Sequence, residues 1–212
     1  MIVNRPLEDY LVQHSSQEDP LLKELSRETH LKAINPRMLS GHLQGKLLEY
    51  ISRMIQPLRI LEIGTYTGYS TICLARGLKN GGHLHTIECN DEIVRIPKKY
   101  FKKAGLESNI TLITGNALEI IPKLDEIYDL VFIDANKQEY LQYFELCLEK
   151  TRSGSTILVD NVLWDGKVLN ADLNPDADTK AIMDFNQKLV TDARVEVLML
   201  PLRDGISIIR KL

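Results

Sequence analysis

The sequence predicts a doubly wound α/β fold with a mostly parallel sheet, and three features point to it. Seven strand-length apolar runs alternate with amphipathic segments between residues 58 and 209. Most of these runs lack polar alternation, as strands covered on both faces do. The last two are joined only by Pro201 to Gly205, short enough for a hairpin, so an antiparallel edge strand is expected.

Taken in order, residues 1–57 read as helical. Leu21, Leu22 and Leu25 mark one helix over 18–31, and Leu43, Leu47, Leu48, Ile51 and Ile55 mark a second over 40–55 by spacings of three and four. Pro36 interrupts the pattern between them and predicts a hinge-like loop. Strands follow at 58–63, 83–88, 109–113, 129–133, 155–159, 195–200 and 206–209, with helices near 67–79, 91–104, 116–121, 137–149 and 178–190. Asn90 before Asp91 and Glu92 reads as a helix cap followed by acids that suit the positive end of the helix dipole. The polar stretch from Asp165 to Asp178 is expected to be a loop.

Composition narrows the class. With 212 residues, 44% hydrophobic and 26% charged, and only 12 glycines and 8 prolines, collagen-like and disordered chains are excluded. We expect one domain over 1–212, an N-terminal helical cap at 1–57 and an α/β core at 58–212. Lys and Arg number 26 against 29 Asp and Glu, a net charge of -3, so no basic excess favours a nucleic-acid partner. Cys73, Cys89 and Cys147 form neither a CxxC pair nor a disulfide framework, which suits a reducing compartment. No apolar run approaches the roughly 20 residues that span a bilayer, and Met1 to Asp19 lacks the shape of a signal peptide. A cytoplasmic protein without a membrane partner is the expectation.

In an open parallel sheet, ligands bind beyond the carboxyl ends of the strands. Those ends carry Glu62, Glu88, Asn116, Asp134 and Asp160-Asn161, a series that a general preference of acids and Asn for loops explains poorly. The turn after the first strand reads Glu62-Ile63-Gly64-Thr65-Tyr66-Thr67-Gly68. Tyr66 and Tyr69 occupy the second and third glycine places of a Gly-x-Gly-x-x-Gly fingerprint, where a pyrophosphate would collide with them. An acid before the turn repels phosphate and suits an ammonium or sulfonium. Glu88 stands where a ribose diol is accepted, with Asn116 and Ala117 beside the base.

These residues resemble the class I S-adenosylmethionine methyltransferases and, within them, the cation-dependent O-methyltransferases that include catechol and caffeoyl-coenzyme A O-methyltransferases. The resemblance runs from about Met38 to Lys211. It rests on Leu61 to Ser70, on Val131-Phe132-Ile133-Asp134-Ala135-Asn136-Lys137 with Tyr140, on Val159-Asp160-Asn161-Val162-Leu163-Trp164, and on Leu200-Pro201 with Asp204-Gly205. It implies a Rossmann-like seven-stranded methyltransferase fold, S-adenosylmethionine as cofactor, a small aromatic diol as substrate, and a homodimer. Met38 and Ser40 would close over the cofactor; Glu62, Gly64, Tyr66 and Ser70 would meet its amino-acid end; Glu88 and Cys89 its ribose and adenosine; Ala117 its adenine; and Asp134 would border it. Asn116 and Asn136 stand where the family often carries Asp, and Arg203 where a small residue is usual.

Asp134, Asp160 and Asn161 offer three oxygen ligands without His or Cys, a set that favours Mg²⁺, or another hard cation such as Mn²⁺ or Ca²⁺, over zinc. A catechol could fill two further positions, and coordination would acidify its hydroxyl. Lys137, three residues past Asp134, would take the proton, since a nearby cation disfavours its own charged form. The simpler readings are a surface lysine at 137, a turn-capping Asn161, and packing roles for Tyr66, Tyr69 and Trp164. For Trp164, burial and substrate contact stay equally open. Phe185-Asn186 suggests substrate-side packing at most, and the five histidines show no ligand spacing. Two rival functions are a catalytically silent cofactor-binding regulatory or interaction protein and a nucleic-acid methyltransferase. Intact Asp134, Lys137, Asp160 and Asn161 oppose the first, and the charge balance opposes the second.

Overall fold

Runs of Ile, Leu and Val bounded by Gly, Asn and Asp become strands where both faces can be covered. The computed structural model describes residues 5–169 and 175–212 and contains seven such strands among them. They are β1 (Arg59–Ile63), β2 (His83–Glu88), β3 (Ile110–Thr114), β4 (Tyr128–Ile133), β5 (Thr151–Asp160), β6 (Val195–Leu200) and β7 (Ile206–Lys211). The sheet order is β3-β2-β1-β4-β5-β7-β6. Pairs β1–β2, β2–β3 and β4–β5 are parallel, and β5–β7 and β6–β7 are antiparallel. The expected mixed sheet is therefore present, with one refinement. The strand that runs against the others is β7, one place in from the edge, and the edge strand β6 runs with β5.

The chain divides into two compact units, one formed by Arg5–Ala117 and one running over Leu118–Leu212. In the first, helices α1 (Arg5–Gln13), α2 (Pro20–Lys32) and α3 (Gly41–Ile55) precede β1. The N-terminal stretch thus holds a helix beyond the two marked by leucine spacing. Asp19 caps α2 by accepting the Leu21 amide at 2.8 Å, with Pro20 in the first turn, where a missing N–H costs nothing. Two further helices, α4 (Tyr69–Ala75) and α5 (Arg95–Lys103), connect the strands. Leu25, Leu48, Ile60, Leu61, Ile72 and Leu84 are sealed in this unit's core.

Helix α5 begins four residues later than the Asn90 signal suggests. Asn90 instead accepts the Glu92 amide at 3.0 Å in a local turn. The cause is Pro97, whose ring would clash with the carbonyl of Ile93 in a helix begun at Asp91.

In the second unit lie α6 (Ala117–Ile120, straddling the boundary), α7 (Tyr140–Glu149) and α8 (Ala177–Thr191). Asn136 opens a short 3₁₀ turn, Lys137–Glu139, that leads into α7, and Asp176 caps α8 by accepting the Thr179 amide at 2.8 Å. Phe185 of α8 meets Tyr140 and Phe144 of α7 edge-to-face, at centroid distances of 5.6 and 6.0 Å. Of the expected 165–178 loop, residues 170–174 lie outside the described residues. No described helix is long and apolar enough to cross a membrane.

Candidate active site

Within residues 5–117, parallel register lines up the ends of three strands. Ile63 pairs with Ile87 and Glu88 with Thr114, while Gly64 donates to Ile87 O and Gly115 to Glu88 O, both at 2.9 Å. The turn after β1 needs left-handed backbone at Gly64 (φ 99°), Tyr66 (φ 49°) and Gly68 (φ 89°). At Gly68 a Cβ would also lie 2.7 Å from Phe101, so glycine lets α5 approach the turn. Glu88 steadies this turn: its carboxylate accepts the Tyr66 amide at 2.7 Å and the Asn90 amide at 3.0 Å. The Cys89 thiol adds a third contact at 3.7 Å, so of a carboxylate's about four lone-pair sites one remains for a hydroxyl donor.

Glu62 has a structural role of its own. It has no exposed surface, and Ser70, Thr71 and Thr86 donate hydroxyls to it at 2.6, 2.5 and 2.6 Å. Here Glu62, expected at the amino-acid end of the cofactor, also braces the turn from beneath. Thr71 and Thr86, which complete the brace, were missed by the sequence reading; the one available signal was a lone threonine inside the apolar run of β2.

Tyr66 also binds the hinge loop. Its hydroxyl donates to Asn35 O at 2.9 Å, which draws the segment bearing Met38 and Ser40 to the Gly64–Gly68 turn. Burial pushes the Tyr66 phenol above its ordinary value. Met38 is exposed, Ser40 buried, Cys89 exposed at the end of β2, and Ala117 buried at the start of α6.

Within residues 118–212, Ile133 pairs with Val159. Asp134, the first residue after β4, and Asp160, the last of β5, each directly follow this pair. Their shared neighbour is Tyr140, whose hydroxyl donates to Asp160 O at 3.0 Å. Burial first, then the charges of Asp134 and Asp160, push this phenol well above its ordinary value. Lys137 Nζ lies 3.0 Å from Asp134 Oδ1, 5.0 Å from the Tyr140 ring centre and 5.8 Å from that of Trp164.

Asp160 is 3% exposed and accepts the Asn161 amide at 2.8 Å, while Asn161 itself takes a left-handed φ of 60°. Beyond it, Trp164 and Asp165 are left-handed too, and Asn186 of α8 anchors the loop by donating to Val162 O at 2.8 Å. The Asn186 amide oxygen and Trp164 Nε1 are both buried without a partner. Asn186 is a positioning residue that the sequence marked only as packing.

The donor set fits a hard divalent cation. Lys137 pairs with Asp134, Asp160 adds a second carboxylate, and an amide oxygen donor is next in sequence, so the set retains negative charge and offers only oxygen ligands. Among the described residues no group of three or more His, Cys, Asp or Glu is gathered for a metal ion, so the donor set here is two carboxylates and the Asn161 amide.

Comparison with known proteins agrees with this architecture. A family model described as O-methyltransferase matches residues 12–212. A catechol O-methyltransferase of Niastella koreensis is 38% identical over 161 residues, which is 74% of this chain and 72% of the relative. A caffeoyl-CoA O-methyltransferase of Medicago sativa is 32% identical, covering 92% of this chain and 83% of its own. Among solved structures, the O-methyltransferase TomG of Streptomyces achromogenes, in complex with SAM, superposes with a TM-score of 0.90 at 32% identity over 97% of this chain and 96% of its own.

Proposed function

The chain belongs to the O-methyltransferase family, and on that premise we propose that it transfers the sulfonium methyl group of S-adenosylmethionine to one hydroxyl of a small vicinal dihydroxy aromatic. The observation that carries the proposal is that Asp134 and Asp160 each directly follow the register pair Ile133 and Val159, with Lys137 against the first and Asn161 beside the second. The cofactor is assigned to the turn Gly64–Gly68 with Ser70, Glu88, Cys89 and Ala117, closed by Met38 and Ser40. Asp134, Asp160 and Asn161 would hold a divalent cation, Mg²⁺ foremost, which when bound acidifies and orients neighbouring oxygens of the acceptor.

The chain's own residues do the rest. Lys137 Nζ, in its neutral amine form, receives the proton of the hydroxyl and becomes the ammonium that pairs with Asp134, the oxygen forms its bond to the methyl carbon, and the carbon–sulfur bond breaks to leave neutral thioether. Opposite charges on oxygen and sulfur cancel in this step, so orientation and exclusion of water matter more than charge stabilisation. A left-handed loop at 161–165 anchored by Asn186 supplies rigid orientation. Three cysteines outside any disulfide suit a reducing, cytoplasmic setting, and a homodimer is the assembly we assign.

The test is methyl transfer from radiolabelled S-adenosylmethionine to catechol. Turnover should vanish in excess chelator and return with Mg²⁺. Asp160→Ala should lower kcat by about 10²-fold or more while calorimetric cofactor affinity changes by less than about threefold. Equal turnover in chelator would remove the cation from the proposal. Cofactor binding without transfer to any diol would identify a silent binding protein.

A further inference from the structure

Within residues 5–117 an open cavity of about 700 Å³ lies apart from the Gly64–Gly68 turn. Four cations line it, Lys46, Arg53, Arg76 and Lys79, against two carboxylates, Asp19 and Glu49. Its place is the amino edge of the sheet. Lys79 stands on the turn before β2, closed by Gly82 N donating to Lys79 O at 2.8 Å, and Leu106 and Asn109 of the lining precede β3. The Glu88 end of β2, where the cofactor turn lies, is about 16 Å from the His83 end.

The two acids are already shared. Glu49 of α3, 5% exposed, meets three of the cations: Arg53 at 2.8 Å, Lys46 at 3.4 Å and Arg76 at 3.8 Å. Asp19 accepts Arg76 at 2.9 Å on one oxygen and uses the other to cap α2. Lys79 is exposed and has no carboxylate partner among the described residues. One carboxylate does not neutralise three cations, so the pairing within the fold leaves the cavity with two positive charges in excess. The excess is local, in a chain whose net charge is -3. An incoming anion relieves the repulsion that this gathering costs.

The class of ligand follows from charge and size. A phosphate monoester carries a charge of about −1.5 to −2 near pH 7 and three acceptor oxygens, which match the excess and the guanidinium forks of Arg53 and Arg76. A bare phosphate would fill a small part of a cavity whose volume is that of a small-molecule site, so the anion brings an organic body with it. Leu78 and Leu106 are the only large apolar side chains in the lining, which favours a polar body such as a sugar. We propose that this cavity is a second ligand site, separate from the cofactor turn, for a small phosphorylated metabolite. The inference stands independently of the methyl-transfer reading.

The test combines titration calorimetry and thermal unfolding of the full chain with inorganic phosphate, pyrophosphate and glucose 6-phosphate. Glucose, tricarballylate and sodium chloride at matched ionic strength are the controls. Glucose 6-phosphate should bind saturably at one site per chain and, at tenfold its Kd, raise Tm by about 2–4 °C. R53Q/K79Q leaves Glu49 paired with Lys46 and Arg76 and removes two exposed cations. It should weaken phosphate binding about tenfold or more and leave S-adenosylmethionine affinity within about threefold. No saturable binding of any of the three phosphates, or equal binding by wild type and R53Q/K79Q, would overturn the inference. Equal shifts with sodium chloride would reduce the effect to screening, and a preference for tricarballylate would mark a carboxylate site; either overturns it. Displacement of the phosphate by S-adenosylmethionine would place it in the cofactor turn and overturn it as well.

Discussion

Glu62→Gln is the substitution whose effect the structure specifies most closely. The Glu62 carboxylate has no exposed surface and accepts three hydroxyls, one on Oε1 from Ser70 at 2.6 Å and two on Oε2 from Thr71 and Thr86 at 2.5 and 2.6 Å. Glutamine preserves the shape but replaces one acceptor oxygen by an NH₂ donor. Whichever way the amide is turned, at least one hydroxyl loses its acceptor. Hydrogen bonds to a charged group contribute about 1.5–3 kcal/mol each, so a loss of about 2–4 kcal/mol is expected. For a chain of this length that lowers Tm by about 5–15 °C. Thr86 also shares a 2.5 Å contact with Thr65, so the disturbance passes into the Gly64–Gly68 turn. Calorimetric S-adenosylmethionine affinity should fall about tenfold or more, and a cycle with Ser70→Ala should be strongly non-additive. A Tm within about 2 °C of wild type with unchanged affinity would refute the reasoning, because it would mean that the carboxyl already sits neutral among its donors.

Two further substitutions separate the site from the scaffold. Gly205→Ala forces a Cβ to within 2.4 Å of Leu163 at a φ of 86°, which should cost about 2–4 kcal/mol in urea unfolding and raise acceptor KM while cofactor affinity holds; an unchanged midpoint would show that the two loops part freely. Glu28 joins α2 to α5 through Lys99 at 2.5 Å, and hydrogen bonds from Lys99, then Lys32 and Tyr100, hold its carboxyl down at about 2. Because the folded value lies below the unfolded one, its contribution is complete above about pH 4.5 and disappears as pH falls through about 2. Discounted for solvent screening, Glu28→Gln should destabilise by about 1 kcal/mol at pH 7 and by progressively less between pH 4 and 2. A difference that is constant with pH would remove the ion pair as its cause.

Strands were readable because their burial on both faces leaves an apolar run with few alternatives, and the observed ends lie within one or two residues for most of them. The exception is β5, which extends back to Thr151 through Arg152, Ser153 and Gly154. Those residues pair no apolar face, and only the resumed register after an irregularity opposite Tyr128 and Leu130 makes them strand. Helix starts were less readable. The Asn90 signal was sound chemistry used for a turn, since Pro97 dictates where α5 can begin. The placement of β7 beside β5 was hidden as well, because a hairpin in sequence does not say which of its strands docks on the sheet.

The acids at the strand ends were legible as a series but not as separate roles, and register explains why. Glu62 pairs with Thr86 and Ile63 with Ile87, so Glu88 is level with Gly64, two residues nearer the carboxyl edge than Glu62. At about 3.3 Å per residue that places Glu62 roughly 6–7 Å deeper. At that depth α4 covers the strand and supplies Ser70 and Thr71, whereas at the level of Glu88 the chain is already turning and offers backbone amides. Asp134 and Asp160 each follow the register pair Ile133 and Val159, so neither is sunk below the other and both remain at the edge. A carboxylate at the edge meets backbone amides and a lysine, as Glu88, Asp160 and Asp134 do; one two residues lower meets the hydroxyls of a covering helix. Whether an acid at a strand end stands at the edge or braces the turn from below thus follows from a strand offset that only the paired sheet reveals.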